Sequence, residues 1–165
     1  MIKGERIYLR PVAMRDIDVV LHWENNPELW SVTETPGPFS RSEIAEFIRT
    51  SHNVFRQNQM RWMICDIEDQ PIGALDVFDF NHQKKSSGIG ILIAEKQNRN
   101  KGFASEALKL FIHFATDTLK FKSLHCIVHI DNHSSVRLFE KNNFKTQGVS
   151  YFKEKKVYQF HLELT

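Results

Sequence analysis

Gln97-Asn98-Arg99-Asn100-Lys101-Gly102-Phe103-Ala104 follows the apolar run Ile89-Gly90-Ile91-Leu92-Ile93-Ala94 and precedes Ser105-Glu106-Ala107-Leu108-Lys109-Leu110-Phe111. The local order is buried strand, short polar loop, amphipathic helix. Unpaired backbone N–H groups at a helix start point into the preceding loop and attract anions. Gly102 permits a bend that a Cβ would hinder, and Arg99 and Lys101 add charge to an end already positive by its dipole. Such a loop suits a pyrophosphate.

Upstream, residues 6–12 alternate polar and apolar and stop near Pro11, which predicts a first strand. Ile17, Val20, Leu21 and Trp23 recur at helical spacing before the turn-forming Asn25-Asn26-Pro27. Pro36-Gly37-Pro38 is the strongest break in the chain. Ser40-Arg41-Ser42-Glu43 then has the form of a capping box and predicts one helix carrying Ile44, Phe47, Ile48, Val54 and Phe55, ending near Gln57-Asn58. Residues 60–67 and 72–80, joined by Glu68-Asp69-Gln70-Pro71, predict a hairpin, and 89–93 the third strand of a meander. The unbroken apolar character of that third strand predicts burial on both faces, hence helices on both sides.

Downstream, Ala107, Leu110, Phe111, Phe114, Ala115 and Leu119 form one stripe of a long helix. A strand over 124–130, a short helix over 136–141 stopped by Asn142-Asn143-Phe144, and strands over 145–152 and 156–164 complete the pattern. The class is α+β: one domain over 1–165, with a central mixed, mostly antiparallel sheet of about seven strands flanked by four helices.

Composition narrows the function. Lys and Arg number 22 against 20 Asp and Glu, so no general basic character argues for nucleic acid. Cys65 and Cys126 lie in apolar segments without ligand spacing and are expected as reduced, buried thiols. The eight histidines form no metal constellation; His125 and His129 share a strand face, but no carboxylate spacing completes a site. Trp23, Trp30 and Trp62 are expected in the core or in pocket walls. No signal-peptide h-region is present and no apolar run approaches the about 20 residues that span a bilayer, so a cytoplasmic protein without membrane attachment is expected.

Arg99-x-x-Gly102-x-Ala104 resembles the pyrophosphate-loop signature of the GCN5-related N-acetyltransferases. Asn132-x-x-Ser135-x-x-Leu138-Phe139-Glu140-Lys141-Asn142-Asn143-Phe144 resembles a second segment of that family, with Asn143 in place of a glycine that would take a left-handed cap. The order of elements is also similar along nearly the whole chain. The resemblance implies transfer of an acetyl group from acetyl-CoA to a primary amine, by direct attack in a ternary complex, without a metal. Ile91, Leu92 and Ile93 would pair with the pantetheine arm and supply an oxyanion donor. Arg99, Asn100, Lys101, Gly102, Phe103, Ala104 and Ser105 would hold the pyrophosphate, and Asn132 and Ser135 would complete the cofactor site.

The chain departs from the family at two catalytic positions. Phe139 replaces a tyrosine general acid, which leaves Ser135 as the acid candidate, one helical turn away; its competing role is a helix-start hydrogen bond. Gly88 stands where some relatives carry a glutamate. Asp76 is then favoured as base, with Asp79, His82 and Glu34 as alternatives. Alternation places Asp76 on the face of Phe78 and Asp79 on the other.

Trp23, Asn26, Glu34, Tyr151 and Tyr158 are expected around the acceptor. Glu24, Glu28 and Glu34 would either serve a polycation pocket or be solvated. The Leu-Arg-Pro opening and the Trp23, Asn25, Pro27 segment look most like the branch acetylating ribosomal-protein N-termini and polyamines. Exposed C-terminal strand edges would support a homodimer. The alternative function is an acetyl-CoA-binding sensor without turnover.

Overall fold

The structure, a computed structural model, describes residues 1–29 and 37–165. The chain runs β1 (Ile2–Lys3), β2 (Ile7–Pro11), α1 (Ile17–Glu24), α2 (Arg41–Arg49), α3 (Val54–Gln57), β3 (Met60–Asp66), β4 (Pro71–Asn81) and β5 (Ser86–Ile93). It continues as α4 (Phe103–Asp117), β6 (Ser123–His129), α5 (His133–Lys141), β7 (Lys145–Phe152) and β8 (Lys155–Glu163). The strands form one sheet in the order β1-β2-β3-β4-β5-β6-β8-β7. Among the described residues only β5 and β6 run parallel. Eight strands stand against the expected seven or so; the extra one, β1, is two residues long and too short to carry a periodic signal.

Helices cover both faces of the sheet, as the apolar run of β5 demands. On one face Trp62, Ile64, Leu75, Val77 and Ile89 pack with Ala107, Leu108 and Phe111 of α4. On the other, Met63, Cys65 and Ala74 pack with Val20 and Trp23 of α1 and Ile44 and Ile48 of α2. Trp23 keeps only 3% exposure in that second core, where it packs. Cys65 and Cys126 are buried free thiols, and burial pushes Cys126 up to about 12.

The single helix expected over 40–57 is two. Its start matches the capping box, with Glu43 N–H donating to Ser40 Oγ at 3.1 Å and Ser40 N–H to Glu43 Oε1 at 3.0 Å. At Thr50 and Ser51 the hydroxyls donate to the carbonyls of Glu46 and Phe47, and the backbone turns away. Asn53 Oδ1 then accepts from the Phe55 and Arg56 N–H groups and starts α3. The break frees the Ser51 carbonyl to accept from Arg61 N–H beside β3.

At the end of α5, Asn143 takes φ 71°. Phe144 N–H donates to the Phe139 carbonyl and Asn143 N–H to that of Glu140, the two reverse bonds of a Schellman cap. Asn143→Ala is expected to lower stability by about 1 kcal/mol, the penalty of a Cβ in the left-handed region without asparagine's local compensation. Asn143→Gly should hold or raise it, and urea-denaturation midpoints check both.

Candidate active site

The parallel β5–β6 register runs Ser86↔Ser123, Ser87↔Leu124 and Gly88↔His125, and there it stops. Beyond it β5 stays paired to β4 as far as Gly73↔Ile93, while β6 follows β8 to His129↔Val157. The two strands therefore diverge, and the β6-facing edge of residues 89–93 has no strand partner. Backbone groups on that edge are available to an extended ligand.

The divergence opens a cleft of about 1220 Å³, walled by β5, the loop after it, the start of α4, α5 and the start of β8. A throat of about 70 Å³ shares Ile91, His129, Asn132 and Ser135 with it. Ile89, Ile91, Cys126, Val128 and Phe139 line the throat from the α4 side, and Gly90, Ile127, His129 and Val157 from the other. It passes through the sheet.

Of the residues expected at the cofactor, Ile91, Leu92, Ile93, Arg99, Asn100, Gly102, Phe103, Ala104, Ser105, Asn132 and Ser135 all line the cleft. Lys101 does not; its carbonyl accepts from Arg6 Nη1 at 2.6 Å. The Arg99 guanidinium clips the loop to the end of β5, donating to the carbonyls of Ile93 at 3.0 Å and Ala94 at 2.9 Å. Asn100 at φ 60° and Gly102 at φ 83° bend the loop into the helix. A Cβ on Gly102 would lie 3.1 Å from Arg6 Nη2.

Arg6 braces this turn from outside, and nothing local in the sequence announces it. It lies over the Phe103 ring at 4.7 Å and donates through Nε to Glu106 Oε1 at 2.9 Å. Glu106 also accepts the backbone N–H groups of Glu5 and Arg6. Partial burial opposes its charge, yet these bonds hold its carboxyl below the ordinary glutamate value.

Four further cations were not anticipated. Arg137, Lys141, Lys155 and Lys156 join Arg99 on the cleft wall, against Asp131 as the one carboxylate among the lining residues. They come from α5 and β8, so only the fold assembles them. The set fits a ligand carrying several phosphates. Among the described residues no group of three His, Cys, Asp or Glu is placed to hold a metal ion.

Asn132 caps α5: its Oδ1 accepts from Ser135 N–H at 3.3 Å and from Ser134 Oγ at 3.3 Å. The helix-start bond therefore uses the backbone of Ser135. Its hydroxyl has no protein partner among the described residues and faces cleft and throat, beside Phe139 one turn on. Asn142, buried and also unanticipated, donates to Ser105 Oγ at 3.3 Å and to the Leu138 carbonyl at 2.8 Å, tying α5 to α4.

On the far face, Asp76 stands opposite Gly90 of the throat. Both of its oxygens accept from Arg61, from Nε and Nη2, at 2.7 Å. Arg61 Nη1 lies 2.9 Å from Glu24 Oε1, so Glu24 is a buried partner of a buried cation and is not solvated. Burial disfavours the guanidinium charge, but Asp76 and Glu24 hold its pKa above the ordinary value.

Asp79 breaks the expected alternation. It sits in a bulge at φ 50°, and its charge acts on His125, on the Phe78 face. Burial nevertheless draws His125 below the ordinary imidazole value, with His161 acting in the same direction.

Of the other residues expected around the acceptor, Asn26 Oδ1 accepts from Glu28 N–H, Tyr158 packs at the edge of the α4-side core, Tyr151 is exposed on β7, and Glu34 lies outside the described residues, as does Trp30.

A splayed α+β sheet with a phosphate-suited loop at the mouth of its cleft defines a class of acyl-group transferases. The model of the Acetyltransferase (GNAT) domain matches residues 6–145. The chain belongs to that family and is an acetyl-CoA-dependent acetyltransferase. It is similar to the spermidine N(1)-acetyltransferase of Escherichia coli (strain K12), 22% identical over 90% of this chain and 77% of that protein. It is also similar to the alpha/beta-tubulin-N-acetyltransferase 9 of Drosophila melanogaster, 29% identical over 93% and 82%. The crystal structure of spermidine N-acetyltransferase from Vibrio cholerae in complex with CoA and spermine shares the fold, with a TM-score of 0.86, 19% identity and coverage of 98% and 97%. Among the described residues no helix is long and apolar enough to cross a membrane.

Proposed function

We propose that this chain acetylates a primary amine by direct attack within the throat between β5 and β6. The observation that carries this reading is the throat itself, a passage through the sheet with the cation-lined cleft on one side and Asp76 beside the other. The unpaired edge over 89–93 aligns the pantetheine arm, and one of its N–H groups stabilises the oxyanion. The loop over 99–105 and the five cleft cations hold the phosphates.

Asp76 seats the incoming ammonium. Each of its oxygens has a lone pair beyond the one given to Arg61, and the amine proton leaves by way of water. As the C–N bond forms and the C–S bond breaks, Ser135 Oγ–H passes a proton to the departing thiolate and takes one back from water, so the proton lost by the amine balances the one gained by the thiol. The names of the similar proteins suggest spermidine or another small amine as acceptor. Catalysis in the cytoplasm fits two buried, reduced thiols, and the edge strand β7 offers a surface for a homodimer.

The test is release of CoA thiol from acetyl-CoA over a panel of spermidine, short diamines, aminoglycosides and peptides with free α-amines. Release well above acetyl-CoA hydrolysis with one class establishes the reading. Tight acetyl-CoA binding with no release from any acceptor would overturn it in favour of a sensor.

A further inference from the structure

The throat opens onto the sheet face that α1 and α2 cover further along, and two exposed apolar side chains border its mouth. Phe78 keeps 37% exposure and Ile127 42%. Phe78 stands opposite Gly88, and its ring fills the space a side chain there would need. A Cβ on Gly88 would clash with Phe78 Cε2 and would meet Cδ2 at 2.7 Å and Cζ at 2.8 Å. A Cβ on Gly90 would meet Cε1 at 3.8 Å, so the ring extends along β5 toward the throat. Ile127 lines the throat from β6, and Asp76 stands opposite Gly90. An ammonium held by Asp76 at this mouth has apolar surface on both flanks.

We propose that Phe78 and Ile127, with Gly88 and Gly90 making room for the ring, form an apolar clamp that selects the acceptor. It rests on the reading that transfer occurs in the throat. The clamp favours a primary amine whose carbon skeleton carries a bulky apolar or aromatic arm within two or three bonds of the nitrogen. A linear polycation gains less, because Phe78 and Ile127 offer its second ammonium no hydrogen-bond partner in exchange for the water they displace. An exposed apolar patch continuous with a reaction site is the usual mark of such recognition.

The probes are 2-phenylethylamine, a tripeptide amide beginning with phenylalanine, putrescine and spermidine. The clamp predicts kcat/KM at least about tenfold higher for one or both of the first two, the discrimination a hydrophobic pocket supplies. Which of the two is preferred separates a free arylalkylamine from a peptide N-terminus as the source of that chemistry. Phe78→Ala should abolish the preference by raising KM about tenfold more for the apolar amines than for putrescine, with acetyl-CoA affinity unchanged. Phe78→Leu should restore part of it, and Gly88→Ala, by displacing the ring, should mimic Phe78→Ala. A merely structural role would move every acceptor alike and overturn the clamp. Turnover confined to putrescine and spermidine, insensitive to Phe78→Ala, overturns the clamp alone; no turnover with any amine overturns the underlying reading and the clamp with it.

Discussion

Arg61→Met is expected to destabilise the protein by about 3–5 kcal/mol, a large share of the roughly 5–15 kcal/mol that holds a domain folded. Arg61 retains 6% exposure, lies 4.7 Å over the Phe47 ring and faces two carboxylates, Asp76 at 2.7 Å and Glu24 at 2.9 Å. Removing the cation leaves two negative charges close together in a place where water cannot replace the guanidinium. The cost is the stranded charge more than the lost bonds. The loss should therefore shrink when Glu24→Gln and Asp76→Asn are added, although the triple variant has fewer ion pairs. Urea denaturation of the three proteins measures the effect. A triple variant as unstable as Arg61→Met would assign the cost to lost packing of the guanidinium stem.

Ser135→Ala is expected to lower kcat by about 100-fold or more, the lower end of what general-acid catalysis contributes, with acetyl-CoA affinity intact. The structure makes this a clean substitution. The cap of α5 runs from Ser135 N–H to Asn132 Oδ1, and an alanine keeps that N–H. Phe139, one turn on, has no proton to substitute for the lost one. Single-turnover thiol release together with calorimetric titration of acetyl-CoA separates the two quantities. An unchanged kcat would remove Ser135 from proton transfer, and a loss confined to affinity would make it a cofactor-binding residue only. Asn132→Ala should differ in kind, costing about 1 kcal/mol of stability through the lost cap.

Both the loop and the α5 segment were legible because their chemistry is local. A helix start after a buried strand orients its own N–H groups, and Arg99 clips the loop to its near neighbours Ile93 and Ala94, although the brace from Arg6 is not local. The same holds for the Schellman cap at Asn143, which closes within six residues. The helix expected through 50–53 failed for an equally local reason of opposite sign. Its apolar spacing is helical, but the hydroxyls of Thr50 and Ser51 and the cap at Asn53 offer the backbone other partners.

By itself, then, the sequence determined the α+β class, the helices on both faces of the sheet, the phosphate-suited loop and the cap of α5, all governed by period and neighbour chemistry. Only the tertiary structure decided which charges meet. Arg6 reaches Glu106 across 100 residues, Arg61 gathers Glu24 and Asp76 from a helix and a strand, and four cations converge on one cleft from α5 and β8. Pattern reports which face a side chain takes. It carries no record of what stands opposite, because that depends on sheet order and on where β5 and β6 part, set by packing among elements far apart in the chain.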